Sequence, residues 1–169
     1  MHESGAYEQY PAHIVLIANL LSMGIYLIGL FLLWQYGPVW AALYLVYIII
    51  LEFRLMGSHC IDCYYYGKTC AFGKGRLSCL IFRKGEPERF IRMAVSWKTI
   101  LPDFLSFIIP VLAGILLLIG EFRIIILALV IALVLLGFFG NAFVRGHLAC
   151  KFCRQRELGC PAAQFFDKK

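Results

Sequence analysis

Four long apolar runs dominate the chain, and shorter polar segments separate them. The runs are residues 12–34, 40 to about 56, about 104 to 119 and 122 to about 144; the third is short and is expected to begin near Ile100. Each is close to the ~20 residues that an α-helix needs to cross the hydrocarbon core of a bilayer. The pattern therefore predicts an all-α integral membrane protein with four transmembrane helices.

The segments that connect these runs differ greatly in length. Residues 35–38 join the first two runs and residues 120–121 join the last two, so each pair is predicted to form a helical hairpin. Residues 57–99 form a much larger loop. In it, a glycine-rich basic turn at residues 71–76 is expected to be a flexible connector that faces anionic lipid.

A surface helix is predicted at the end of this loop. Pro87 suits the first turn of a helix, because its missing N–H would have no helical partner there. Apolar residues then recur at helical spacing with basic residues between them, which is typical of an amphipathic helix on a membrane surface. The apolar residues are Phe90, Ala94, Trp97 and Leu101, and the basic ones are Arg89, Arg92 and Lys98.

A C-x2-C-x6-C motif follows the second run and is repeated after the fourth. The first copy consists of Cys60, Cys63 and Cys70, and the second of Cys150, Cys153 and Cys160. Both hairpins would enter the membrane from the same side, so the chain is predicted to contain two tandem units in a parallel pseudo-repeat. The predicted division is a first hairpin and module in residues 1–79, a linker with the surface helix in 80–99, and a second hairpin and module in 100–169.

The distribution of charge predicts the sidedness of the protein. The chain has 169 residues, of which 62% are hydrophobic and 15% charged, and its net charge is +6. Fifteen of the 16 Lys and Arg residues lie on the side that holds both termini and both cysteine modules. The positive-inside rule makes that side cytoplasmic and predicts a protein of the cell membrane. The positive charge then matches anionic lipid headgroups, and no nucleic-acid partner is predicted.

The cysteines predict a metal site. Thiols remain reduced on the cytoplasmic side, so structural disulfides are disfavoured there. A C-x2-C turn lets two thiolates converge on one ion, and further Cys or His ligands can complete the shell. The neighbouring basic residues Lys68, Lys151, Arg154 and Arg156 are expected to lower the thiol pKa values. The candidate ligands are the six cysteines of the motifs together with His59, Cys79 and His147.

Three ligand arrangements fit the spacing. In the first, each module closes its own site, with Cys79 or His59 as a fourth ligand in one and His147 in the other. In the second, the two C-x2-C pairs meet in one site of four thiolates, which leaves Cys70 and Cys160 as spare thiols or as a redox pair. In the third, each module holds an iron–sulfur cluster.

Spacing leaves zinc and an iron–sulfur cluster open as cofactors. The Cys160-Pro161 pair resembles the ferredoxins, although the six-residue gap departs from their pattern. An iron–sulfur cluster would make the chain an electron-transfer or docking subunit of a membrane redox complex, in a homo-oligomer or with other subunits. Zinc would make it a structural interaction protein.

A membrane thiol–disulfide oxidoreductase is the remaining alternative. Quinone-linked oxidases of the DsbB type are also small four-helix membrane proteins that use C-x2-C motifs. Their reactive cysteines work on the oxidising side of the membrane, however, whereas these cysteines are predicted on the other side. The sequence contains no recognisable pair of nucleophile and base, so whether the protein is an enzyme stays open.

Overall fold

The computed structural model describes residues 5–92 and 97–161. These residues are helical, and the β pairing among them is limited to one isolated bridge. The α-helices are α1 (Ala12–Trp34), α2 (Pro38–Leu55), α3 (Lys74–Ile81), α4 (Pro87–Arg92), α5 (Trp97–Gly120), α6 (Ile124–Leu135), α7 (Asn141–Phe143) and α8 (Arg154–Glu157). Helical turns of π type lie at Met56–Cys60, Leu136–Gly140 and Val144–Ala149, and a 3-10 turn lies at Cys150–Phe152.

Four helical stretches are long and apolar enough to cross a membrane, as the sequence predicts. They are Ala12–Trp34, Pro38–Cys60, Ile100–Gly120 and Ile124–Phe152. The second and fourth stretches are longer than their apolar runs, because π-helical turns continue them into the cysteine motifs. Gly57 and Gly146 do not end these helices, since neither adopts the left-handed conformation with which a glycine commonly terminates a helix.

The described residues divide into two compact units, and neither is continuous in sequence. The unit that we call the cysteine unit comprises residues 5–19, 53–92 and 143–161. The other, the helix unit, comprises residues 20–52 and 97–142. These spatial units cut across the division of the sequence into repeats, and that division stays a prediction.

Two apolar clusters form the core of the helix unit. One contains Ile25, Leu32, Ile126, Val130 and Leu133, and the other contains Leu33, Tyr44, Ile48 and Ala113. Gly114 permits close packing of α5 against α6, because a Cβ at this position would lie 2.4 Å from Val130 Cγ2. Large aliphatic side chains also cover the outer surface, among them Leu43, Ile50 and Leu116. Such an extensive apolar surface suits contact with lipid.

Two tyrosines of α2 bind backbone carbonyls of α5. Pro110 has no N–H, so the carbonyl of Ser106 lacks its usual helical donor. The Tyr44 hydroxyl donates a hydrogen bond of 2.6 Å to this oxygen. The Tyr47 hydroxyl donates one of 2.5 Å to the carbonyl of Pro102. Because an unpaired carbonyl is costly in hydrocarbon, Tyr44 compensates for the presence of the proline.

The large loop is more helical than its sequence predicts. Lys74 and Arg76 belong to α3 and not to a flexible connector, and the helix begins after Gly73, whose φ of 71° is left-handed. The helix predicted at Pro87 is present as α4. Its predicted continuation crosses residues 93–96, which lie outside the described residues.

Candidate functional site

The N-terminal segment lies between the two cysteine modules, residues 60–70 and 150–160. The Tyr7 N–H donates a hydrogen bond of 3.0 Å to the carbonyl of Phe152, and Tyr7 forms the isolated bridge with Cys153. The Tyr10 N–H donates one of 2.9 Å to the carbonyl of Thr69. This short stretch therefore holds both modules in one compact unit.

Tyr65 is the buried centre of the cysteine unit. It is only 2% exposed. Its hydroxyl donates a hydrogen bond of 2.6 Å to the Tyr7 carbonyl and accepts one of 3.0 Å from the Arg154 N–H. The ring of Tyr10 packs against that of Tyr65, and the Tyr10 hydroxyl donates to the carbonyl of Ala149. Burial raises the pKa of Tyr65 to about 12, so its hydroxyl remains a donor at neutral pH.

Tyr64 connects the modules at a second point. Its N–H donates a hydrogen bond of 2.7 Å to Gln155 Oε1, and Gln155 is buried. Its hydroxyl donates to the carboxylate of Glu8, and Lys68 Nζ donates to that carboxylate at 3.3 Å. The bond from Tyr64 first, and then the bond from Lys68, lowers the pKa of Glu8. The N-terminal segment is thus also fixed by a carboxylate that remains ionised.

The two C-x2-C segments contain corresponding backbone hydrogen bonds. In the first module, the Cys63 N–H donates a hydrogen bond of 3.4 Å to the Cys60 carbonyl; the corresponding bond from Cys153 to Cys150 is 3.3 Å. In each module, the second cysteine also accepts a hydrogen bond of 3.0 Å at its carbonyl. The donor is the Tyr66 N–H in the first module and the Arg156 N–H in the second. The motifs therefore share two backbone hydrogen bonds, although Cys60 ends a π-helical turn and Cys150 begins a 3-10 turn. The repeat of whole units stays a prediction.

Thiols from both modules reach the same buried cluster. All seven cysteines lie in the described part of the chain, where no disulfide joins them. Cys63, Cys70 and Cys153 pack against the cluster that contains Tyr65 and Tyr10. Cys63 and Cys153 are close enough for negative charge on Cys153 to raise the pKa of Cys63. The sequence places these two cysteines ninety residues apart, and the fold brings both against one cluster.

The expectation that basic neighbours lower the thiol pKa values is only partly met: burial has the larger effect and raises the pKa of Cys150, although Arg156 acts to lower it. Burial raises the pKa of Cys63 to about 12, and burial also raises the pKa of Cys153. The cations have other partners: Lys68 binds Glu8, and Arg154 lies 3.0 Å from Glu157. Thiolates at Cys63 and Cys153 therefore require a further positive charge.

Three other candidate ligands have different surroundings. Cys79 is exposed on α3, beside the hydroxyl of Tyr66. His59 Nδ1 shares a hydrogen bond of 2.7 Å with Ser58 Oγ. The exposed ring of His147 lies 5.5 Å from that of Phe143.

Residues 5–92 and 97–161 contain no group of three or more His, Cys, Asp or Glu side chains that is arranged to hold a metal ion. Metal binding would therefore require the thiols of the two modules to converge from their present positions. Zinc or iron–sulfur ligation by any of the nine candidate residues stays a prediction.

A depression in the surface leads to Cys153. Its volume is about 510 Å³. Its walls are formed by Gly5, Ala6, Lys151, Phe152, Arg156 and Glu157 together with Cys153 itself. This opening would give a small ion or reagent a route from solvent to the cluster.

Sequence reasoning missed several residues of this site. Tyr7 and Tyr10 carry a weak signal, namely two aromatic residues three positions apart in a polar segment. Asp62 carries a stronger one, because it lies inside a C-x2-C motif. It is 1% exposed, and neither carboxylate oxygen has a hydrogen-bond partner among the described residues; Arg89 Nε lies 4.0 Å from Oδ2.

Comparison of the chain with protein-family models, with curated proteins and with solved structures finds no match. The function has to be argued from the site itself.

Proposed function

We propose that this membrane protein binds a metal ion or an iron–sulfur cluster in one site shared by its two cysteine modules. The observation that carries the proposal is the convergence of Cys63 and Cys153 on the cluster around Tyr65. Of the three ligand arrangements, we favour the shared one because Cys63 and Cys153 pack against the same cluster. Cys60 and Cys150 are the natural partners, because each begins the turn that ends at Cys63 or Cys153.

The chemistry of the thiols supports a metal. Thiols whose pKa is raised by partial burial, as at Cys63 and Cys153, are weak nucleophiles, which weighs against the thiol–disulfide oxidoreductase alternative. A metal cation would add positive charge beside Cys63 and Cys153, and it displaces the thiol protons when it binds. The tyrosines around the site would shield an iron–sulfur cluster from water and tune its potential.

The proposed role is that of an electron-transfer or docking subunit on the cytoplasmic face of a membrane redox complex. Zinc in the same site would instead make the protein a structural interaction partner. In both cases the metal would join the N-terminal segment, the first module and the second module into one rigid surface for docking.

The test compares the metal content of single-cysteine variants. Protein purified anaerobically in mild detergent is analysed for zinc, iron and acid-labile sulfide, and its visible absorption is recorded. In a shared site, Cys63→Ser or Cys153→Ser alone should abolish metal binding. Cys79→Ser is the matched control, since Cys79 is exposed beside Tyr66, and it should retain the full metal content.

Three results would contradict the proposal in different ways. Loss of half the metal in each single variant would indicate two independent sites. Loss of metal in Cys79→Ser would place the site in the first module alone. Metal-free protein with a disulfide inside each C-x2-C pair would favour the oxidoreductase.

A further inference from the structure

Helix α3 has one face that is packed firmly against the rest of the cysteine unit. A Cβ at Gly75 would lie 2.1 Å from the carbonyl oxygen of Tyr65 and 2.6 Å from that of Lys68. Ser78, one turn further along, is fully buried, and its hydroxyl donates a hydrogen bond of 3.4 Å to the Met56 carbonyl. These contacts fix the rotation of α3 about its axis.

The opposite face of α3 is aliphatic and exposed. Leu77, Leu80 and Ile81 are 51%, 82% and 50% exposed. Their spacing of three and four positions places them in one stripe along the helix. Because the buried face fixes the helix, the stripe cannot turn inward, and it stays available for a contact outside the cysteine unit.

Basic residues flank this stripe. Residues 74–92 contain six Lys and Arg residues and only two acidic residues. Arg76, Arg83 and Lys84 are exposed. The acidic residue Glu88 pairs within α4, with Arg92 at 3.0 Å. An aliphatic stripe bordered by cations is the composition of a helix that lies in a membrane interface.

The connectivity of the chain places a bilayer within reach of α3. Only 13 residues separate Cys60, the end of the second candidate span, from Lys74 at the start of α3. The cytoplasmic leaflet carries anionic phospholipids, which attract basic segments close to a span.

We propose that α3 is an in-plane membrane anchor that binds anionic phospholipid. Leu77, Leu80 and Ile81 insert at the boundary between headgroups and acyl chains. Arg76, Arg83 and Lys84 bind the headgroup phosphates. This surface is independent of any metal in the cysteine modules, so its test is separate from that of the proposed function.

The test uses the full chain in vesicles of phosphatidylcholine mixed with phosphatidylglycerol. Leu80 is replaced by the photo-cross-linking residue p-benzoylphenylalanine, and the adducts are identified by mass spectrometry. We expect a lipid adduct in which phosphatidylglycerol is enriched several-fold over its share of the mixture. The same residue at Glu157, an exposed position elsewhere in the cysteine unit, should give little lipid adduct.

A charge variant separates headgroup binding from simple insertion. Arg83→Gln with Lys84→Gln should reduce the enrichment of phosphatidylglycerol several-fold and leave the total yield of lipid adduct nearly unchanged. Lys151→Gln with Arg156→Gln removes the same number of charges beside the depression and should leave the enrichment unchanged.

Four outcomes would overturn the proposal. The absence of any adduct at position 80 would mean that the stripe faces water. A cross-linked dimer would mean that a second copy covers it. Equal lipid yields at positions 80 and 157 would show that contact is not specific to the stripe. A lipid adduct without headgroup preference, or with a preference that the Arg83 and Lys84 changes leave intact, would remove the role of the cations.

Discussion

At the residue scale, Glu8 makes the N-terminal segment sensitive to pH. It accepts hydrogen bonds from Tyr64 and Lys68, and these lower its pKa from the ordinary value of 4.5. A carboxylate whose pKa is lowered in the folded protein stabilises the fold above its unfolded value. That contribution is lost as the pH falls below 4.5 and through the folded value.

We predict that Tyr64→Phe moves the pKa of Glu8 back towards 4.5, because the largest cause of the shift is removed. The measurement is an NMR titration of the ¹³C-labelled glutamate carboxyl groups in detergent, with Glu8→Gln to assign the signal. Tyr66→Phe is the control, since the Tyr66 hydroxyl donates to the Phe82 carbonyl and does not contact Glu8. An unchanged titration midpoint in Tyr64→Phe would refute the assignment of the hydrogen bond.

Tyr65 is predicted to be the most sensitive of the three consecutive tyrosines. In Tyr65→Phe, the Tyr7 carbonyl and the Arg154 N–H both lose the Tyr65 hydroxyl as a partner, and each such hydrogen bond contributes about 0.5–1.5 kcal/mol. The free energy of the opening that exposes the Arg154 N–H, measured by amide hydrogen exchange, should fall by about 0.5–1.5 kcal/mol. Tyr66→Phe should leave exchange at Arg154 unchanged; equal effects of the two substitutions would contradict the central role of Tyr65.

The sequence could not distinguish these tyrosines. The chain has three consecutive tyrosines, Tyr64, Tyr65 and Tyr66. Their surroundings differ only because the chain turns after Cys60. Tyr64 binds a surface carboxylate, Tyr65 is buried and contacts both the N-terminal segment and the second module, and Tyr66 donates to the Phe82 carbonyl at the end of α3. The cysteine spacing, in contrast, was informative from the sequence, because a repeated spacing indicates a repeated local turn whatever its surroundings.

At the scale of elements, the proline inside α5 is predicted to be coupled energetically to Tyr44. The Tyr44 hydroxyl binds the Ser106 carbonyl, which lacks a helical donor because of Pro110. Tyr44→Phe should therefore destabilise the helix unit by about 1 kcal/mol, a typical value for a hydrogen bond between membrane helices. In a Pro110→Ala background the restored N–H can bind Ser106, so the cost of Tyr44→Phe should fall.

A double-mutant cycle measured by unfolding in mixed micelles tests this coupling. Tyr47→Phe is the matched control. Its acceptor is the Pro102 carbonyl, and the usual helical donor to that carbonyl, the Ser106 N–H, is present whichever residue stands at position 110. The cost of Tyr47→Phe should be the same whether position 110 holds proline or alanine. Equal costs of Tyr44→Phe in both backgrounds would show that Tyr44 does not compensate for Pro110.

The ends of the helices were harder to predict than their existence. The apolar runs identified four spans because hydrophobicity is a local property of each segment. The continuation of α2 to Cys60 could not be predicted, since Gly57, Ser58 and His59 resemble a helix stop in sequence. Helix α3 was also missed, because Gly73 and Gly75 indicate a flexible turn until the tight packing of Gly75 is known.

At the scale of the whole molecule, the cysteine unit is assembled from three segments that are distant in sequence. The repeat predicts two separate modules, and it contains no information on the contacts of Tyr10 and Tyr65 that hold both in one unit. Such contacts depend on packing between distant segments, which spacing and hydrophobicity do not encode. The same limit applies to the choice between one shared metal site and two independent ones.

The sidedness of the protein follows from the basic residues and is the last prediction. Fifteen of 16 Lys and Arg residues lie in residues 54–98 and 145–169, and the four-span prediction puts these segments on one side with both termini. The positive-inside rule predicts that this side is cytoplasmic. Cys79 is a suitable probe, because it is exposed and lies on α3, outside the two cysteine motifs. In sealed right-side-out vesicles, a membrane-impermeant maleimide should label Cys79 only after permeabilisation. A cysteine placed in the turn between α5 and α6 by Glu121→Cys, where the side chain is 70% exposed, should react before permeabilisation. The opposite order of labelling would show that the charge asymmetry does not set the orientation, and it would remove the reducing environment that the proposed metal site requires.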